Sequence, residues 1–227
     1  MKENDKCLGG AIAVPHKEAM FDILQNKCAP EIKEIGAINC FFRDTKNQSK
    51  CFSGTNTDGE GSLDPIFKLM EEQKNLNICL LGYGGAGKAI AAFLVKNMRG
   101  SQELKIFNRT EITKSLPYSK VLFLSTQVLS DYIDSFDLII NATTVGTKES
   151  LDESPIPIEL FTKIRSSTLI YDINYDPPET KLMKIAEEKG LKAINGLRMN
   201  LIQAVLAYKY TNDTSLSNNQ IYRIMNS

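Results

Sequence analysis

Apolar positions along this chain fall into short runs separated by polar turns, and the character of the runs changes near residue 76. Ahead of that point, residues 8–14 (LGGAIAV) are apolar and end at Pro15. Residues 16–25 then place Ala19, Met20, Ile23 and Leu24 at helical spacing, which predicts a strand, a turn and a helix. Residues 38–43 and 50–55 read as the strands of a hairpin around the polar stretch 44–49. Residues 63–72 set Ile66, Leu69 and Met70 on one side of a helix. Beyond residue 76, strands and helices alternate: strands at 77–82, 104–108, 120–125, 137–143, 168–175 and 192–195, helices at 86–98, 179–188 and 199–210. That alternation predicts an α/β fold, a doubly wound parallel sheet of the Rossmann type. The Asn- and Ser-rich tail after Thr211 is expected to fray.

Composition narrows the chemistry. Apolar residues are 42% and charged residues 24% of the 227, the balance of an ordinary globular protein. Lys plus Arg (27) equals Asp plus Glu (27), so there is no basic surplus for nucleic acid, while a small anionic ligand remains accommodated. The one histidine, His16, excludes two-His zinc sites within one chain, and any Ser-His-Asp or Cys-His triad would have to use it. Five scattered cysteines without a CxxC fit reduced thiols and argue against zinc ribbons. No apolar run approaches the length of a membrane span or a signal peptide, so the expectation is a soluble cytoplasmic protein, with no metal and no membrane partner.

The strongest local signal is Gly82-Tyr-Gly84-Gly85-Ala86-Gly87, a G-x-G-x-x-G pattern directly after a strand and at the start of a helix. Gly82 permits the tight turn, Gly84 lets the backbone approach a pyrophosphate, and Gly87 permits close helix–strand packing. The helix N-terminus then offers free N–H groups to phosphate. At the end of the next strand an NAD site would carry Asp or Glu for the ribose hydroxyls. Here the residues are Asn108, Arg109 and Thr110: a guanidinium fork and a hydroxyl suited to a 2′-phosphate, which favours NADP.

These features lie within a longer series: VPHKEA (14–19), GAIN (36–39), GTNTDGEG (54–61), LGYGGAGKA (81–89), NRT (108–110), INATTVGT (140–147), YDINYDPPET (171–180) and GLRMNLIQA (196–204). In this order and spacing the chain resembles the shikimate/quinate dehydrogenases over about residues 9–210. The resemblance implies an NADP-binding Rossmann domain (59–196) and a smaller substrate domain split into residues 1–58 and 197–227, with a cleft lined by Lys17, Asn39, Asp58, Thr143 and Gln203. It further implies Lys17 and Asp58 as the catalytic pair, and Asn39, Tyr175 and Gln203 as substrate ligands. Asn141, Ala142, Thr143 and Thr144 would lie on the nicotinamide side of the cofactor, with Gly196 and Met199 packing its ring. Moving a hydride to or from an alcohol carbon needs a group that handles the hydroxyl proton, and lysine serves only with burial or a charged partner. Lysine at a helix start also sits badly with the dipole, which favours a role other than surface solvation. His16 matches a position without catalytic duty and reads as structural.

The departures are specific. The family's opening strand and Ser-x-Ser-Pro element precede anything in this sequence, so the small sheet is expected to have an incomplete edge open to pairing. Ala11 and Ala13 stand where Asn and Thr usually contact substrate, Cys40 replaces a Thr and Thr147 a Met. A site built to hydrogen-bond a hydroxyl-rich acid is weakened by such losses. Three readings follow: an enzyme interconverting 3-dehydroshikimate and shikimate, a relative acting on another small hydroxy acid such as quinate, and a truncated dinucleotide-binding protein without turnover. The expected assembly is a monomer or homodimer.

Overall fold

A computed structural model describes residues 7–43, 51–110, 112 and 121–226. The first part of the chain builds β1 (Gly9–Ala11), α1 (Lys17–Leu24), α2 (Pro30–Ile35), β2 (Cys40–Arg43) and β3 (Phe52–Thr55). These strands form an antiparallel sheet in the order β1-β2-β3, with Phe41 opposite both Gly10 and Gly54. The hairpin predicted at 38–55 is therefore present as β2 and β3, while its turn at 44–50 lies outside the described residues. Among the described residues β1 pairs with β2 alone.

The stretch predicted as one helix at 63–72 is two. Helix α3 (Asp58–Leu63) begins earlier, a 3-10 turn at Asp64–Ile66 follows, and α4 (Phe67–Glu72) resumes. Pro65 lacks the N–H that a continuous helix needs, which accounts for the break.

The remaining strands are β4 (Asn77–Leu81), β5 (Glu103–Asn108), β6 (Val121–Ser125), β7 (Leu138–Asn141), β8 (Leu169–Asp172) and β9 (Lys192–Ile194). They pair in parallel in the order β6-β5-β4-β7-β8-β9. This is the doubly wound arrangement, with its reversal of strand order between β4 and β7. Residue 120, at the start of the predicted third strand, lies outside the described residues. Helix α5 (Gly85–Asn97) covers one face with Ile90 and Leu94, packing on Ile78, Leu80, Leu104 and Ile106. On the other face α6 (Lys181–Glu188) and 3-10 turns carry Leu182, Ile185, Phe136 and Phe161 onto Cys79, Leu81 and Ile139.

Helix α7 (Leu197–Thr211) returns along the small sheet, contacting β1 and β2. The tail does not simply fray: α8 (Asn218–Met225) forms there, started by a capping box in which Ser217 and Gln220 satisfy each other's backbone N–H. Ile221 anchors it at 2% exposure.

Candidate active site

The C-terminal ends of β4 and β7 open into the crevice where the strand order reverses, the usual ligand position in such sheets. A cavity of about 870 Å³ lies there, with one wall from 11–17 and Asn39 and the other from the loops after β7 and β8.

Lys17 is the first residue of α1 and Asp58 the first of α3. The Lys17 Nζ donates to Asp58 Oδ2 at 2.5 Å, with side-chain exposures of 11% and 6%, so the ion pair is largely shielded from water at the cavity floor. Asp58 can lie so deep because its helix is thin. A Cβ on Gly59 would stand 2.7 Å from the Ala89 carbonyl of α5, and one on Gly61 3.0 Å from the Met199 carbonyl of α7. The D-G-E-G sequence thus lets α3 wedge between two longer helices and hold its carboxylate at their junction.

Asn39 completes the arrangement. Its Nδ2 reaches Asp58 Oδ1 at 2.8 Å, Thr57 Oγ1 at 2.9 Å and Gln203 Oε1 at 3.2 Å, while its Oδ1 accepts from the Thr57 backbone N–H. Thr57 Oγ1 donates to the Gln203 carbonyl at 3.0 Å, tying α7 to the same cluster. Asn56 accepts from the Asp58 N–H and donates to the Ala37 carbonyl. Lys17, Asp58, Asn39 and Gln203 therefore converge, and Tyr175, 45% exposed, lines the same cavity. Sequence reasoning misses Thr57 and Asn56, although both lie in the same GTNTDGEG run as Asp58. His16 is exposed and gives α1 no side-chain cap. The thiol of Cys40 is fully buried and pushed up to about 11 by desolvation, which keeps it out of the chemistry.

The glycine turn fits a dinucleotide. Gly82 has φ +92°, a Cβ on Gly87 would meet the Gly82 carbonyl at 2.3 Å, and a Cβ on Gly84 would meet nothing within 4 Å, leaving open space over the backbone. Gly84 caps α5 without any side-chain bond, so the first N–H groups of the helix, at Gly85, Ala86 and Gly87, are free for phosphate. Asn108 ties the two phosphate-side segments together: its Oδ1 accepts from the Tyr83 N–H and its Nδ2 donates to the Thr110 carbonyl. Arg109 and Thr110 are exposed beside it.

On the nicotinamide side the picture differs from the sequence reading in detail. Asn141 is fully buried and its side chain is spent internally. Its Oδ1 accepts from the Thr143 N–H and hydroxyl, and its Nδ2 donates to Asp172 Oδ1 at 3.0 Å. It shapes the loop from behind. Thr143, expected in the lining, turns its hydroxyl to Asn141 and its methyl toward Gly82, and Thr144 lines the cavity instead. The Ala142 backbone abuts Gly82, Met199 reaches the lining, and Gly196 is pressed against the Ile173 backbone. Asp172 also accepts from Thr180 Oγ1 at 2.6 Å and from the Asn174 N–H. Burial pushes its carboxyl above the ordinary range, against the pull of those donors.

No protein-family model matches the chain. Among curated proteins, the shikimate dehydrogenase (NADP(+)) of Bacillus subtilis (strain 168) is 32% identical over 205 residues, 87% of this chain and 70% of that protein. The chain belongs to the shikimate dehydrogenase family. Solved family structures superpose closely. Shikimate dehydrogenase 1 from Peptoclostridium difficile gives a TM-score of 0.78 at 28% identity, covering 96% of this chain and 77% of that one. The shikimate 5-dehydrogenase of Thermus thermophilus, solved with NADP(H) and shikimate, gives 0.74 at 26% identity over 96% and 78%. The family's Rossmann-type sheet and accompanying smaller sheet are thus both present here.

Proposed function

We propose that this chain is an NADP-dependent shikimate dehydrogenase, an oxidoreductase interconverting 3-dehydroshikimate and shikimate. The observation that carries the reading is the shielded Lys17–Asp58 pair, 2.5 Å apart, on the floor of a cavity bordered by a dinucleotide-type glycine turn. Gly82, Gly84, Gly85, Ala86 and Gly87 would hold the pyrophosphate and Asn108, Arg109 and Thr110 the 2′-phosphate; bound NADPH supplies the hydride. In the direction of reduction, the Lys17 ammonium passes a proton to the carbonyl oxygen as it becomes a hydroxyl. Asp58 holds that ammonium in place and stabilises its charge. Asn39 fixes the second carboxylate oxygen of Asp58, so the pair keeps one orientation. Asn39, Gln203 and Tyr175 are the substrate ligands in this reading, with Ala142, Thr144, Gly196 and Met199 beside the nicotinamide and Asn141 and Thr143 shaping the loop behind them.

Residues 1–58 with 197–227 form the substrate lobe and residues 59–196 the cofactor lobe of a cytoplasmic monomer or homodimer. Ala11 and Ala13 line the cavity without a polar group, which favours a second reading in which the acid is another, such as quinate. Steady-state rates with shikimate and quinate, each with NADP and NAD, test both. Turnover of shikimate with NADP supports the first reading, turnover of quinate alone supports the second, and no turnover of either acid overturns both.

A further inference from the structure

The loop after β7 brings a charge to the cavity that the family resemblance does not assign. Thr147 donates through its N–H and hydroxyl to the Thr144 carbonyl, and the Ser150 N–H closes a turn on the Thr147 carbonyl at 2.8 Å. Ser150 Oγ accepts from the Gly146 N–H, and Asn174 Nδ2 donates to the carbonyls of Thr143 and Val145. The backbone is pinned on both sides of the turn, and its two central residues, Lys148 and Glu149, line the cavity together with Ala11 and Ala13.

The charges of the lining decide what this means. Among the described residues its cations are Lys17 and Lys148, and its carboxylates are Asp58, Glu149 and Asp176. Lys17 and Asp58 neutralise each other. Lys148 is exposed and makes no ion pair or hydrogen bond with any described residue, and neither do Glu149 and Asp176. An acid entering this cavity meets two carboxylates that repel it and one uncommitted ammonium. The two neutral alanines offer it nothing.

We infer that Lys148 is a specificity-determining residue that binds the substrate's carboxylate, across the cavity from Ala11 and Ala13, which offer it no polar side chain. The inference rests on the proposed activity. The ammonium sits on a flexible four-carbon stem, so a rigid turn can deliver it to a carboxylate without itself moving. A charge-assisted bond of this kind is among the stronger ones available to a ligand. The step is binding only. The hydride and the reacting proton are handled elsewhere, so KM bears the effect and kcat does not.

The test compares Lys148→Met and Lys148→Arg with the unmutated enzyme on shikimate and on its neutral methyl ester. We expect K148M to raise KM for shikimate roughly tenfold or more, with kcat within about twofold, and K148R to restore most of the loss. KM for the ester and the Kd for NADPH should not move. Equal losses on acid and ester, an unchanged KM for the acid, or a weakened NADPH Kd would each overturn the inference. Calorimetric titration of shikimate separates this inference from the activity it rests on. Binding that depends on Lys148 without turnover sinks the activity and leaves the carboxylate site standing, whereas no binding of shikimate sinks the inference as well.

Discussion

Asp58 has two oxygens and spends them on different partners, Lys17 on one and Asn39 on the other. Replacing it with Asn keeps the shape and removes the charge that holds the lysine. We expect Asp58→Asn to depress kcat by roughly 10²–10⁴-fold, the usual worth of positioned acid–base catalysis, with NADPH affinity unchanged in a fluorescence titration. A parallel loss of NADPH affinity would mean damage to the fold instead. Arg109 acts at the other end of the cofactor, exposed and beside the anchored Asn108. Arg109→Asp should weaken NADP binding at least about tenfold, since it removes a charge-assisted contact, and leave NAD affinity equal or better. Equal affinity of the unmutated chain for both cofactors would contradict that role. Lys17, Asn39 and Asp58 could be read from the sequence because each sits inside a short distinctive run. Thr57, Asp172 and Asn174 lie in equally distinctive runs, but their roles rest on partners far along the chain, such as the Thr57 hydroxyl meeting Gln203 and Asp172 meeting Asn141.

Elements are positioned largely by what their glycines allow. A Cβ on Gly85 would lie 2.8 Å from Lys17 Cβ and 3.2 Å from its Cδ, so α5 and α1 touch where cofactor and proton donor must meet. Gly85→Ala should therefore push the lysine stem aside and lower kcat more than it raises the NADPH Kd. An unchanged kcat in the variant, or a defect confined to cofactor binding, would place the contact outside the chemistry. Strands and long helices beyond residue 76 followed from their apolar periods. The break at Pro65 and the helix at Asn218–Met225 are both spelled out locally, by a proline and by the Ser217/Gln220 pair, yet are outweighed by the apolar pattern that follows one and the polar composition around the other. Ser217→Ala should cost about 1 kcal/mol of stability, the typical worth of such a cap, seen as a lower Tm.

At the scale of the whole molecule, the titration of the buried carboxylate Asp172 bears on folding. Asp172 is fully buried between the loops that flank the cavity, and burial raises its pKa in the native state. A native state that holds the proton more tightly than the unfolded chain gains stability from this group as pH falls, and loses that gain as pH rises through the native pKa. Asp172→Asn removes the titration, so the stability of the unmutated protein relative to the variant should improve as pH is lowered from neutrality, as followed by denaturant midpoints. A relative change in the opposite direction would contradict the burial effect. At this scale the parallel sheet was legible from sequence because its strands are short and apolar, and helices α5 and α6 stand between β4 and β5 and between β8 and β9. The close junction of the two sheets was not, since it depends on Gly59 meeting Phe93 and Ala89 across α3 and α5, and on Lys88 of α5 pairing with Glu18 of α1 at 2.7 Å.

Helix α5 thus serves two masters, with Ile90 and Leu94 in the core of the large sheet and Ala89 among the apolar side chains beneath the small one. The protein is for that reason not a pair of exchangeable parts. A nucleotide-binding half expressed alone would bare the side of α5 where Ala89 now packs among Ile32, Ile35 and Ile38, and the other half would lose the floor on which α1 and α2 rest. Grafting either onto a foreign partner means redesigning that shared rod first, and proteolysis in the connecting segments should release fragments that precipitate rather than two soluble pieces.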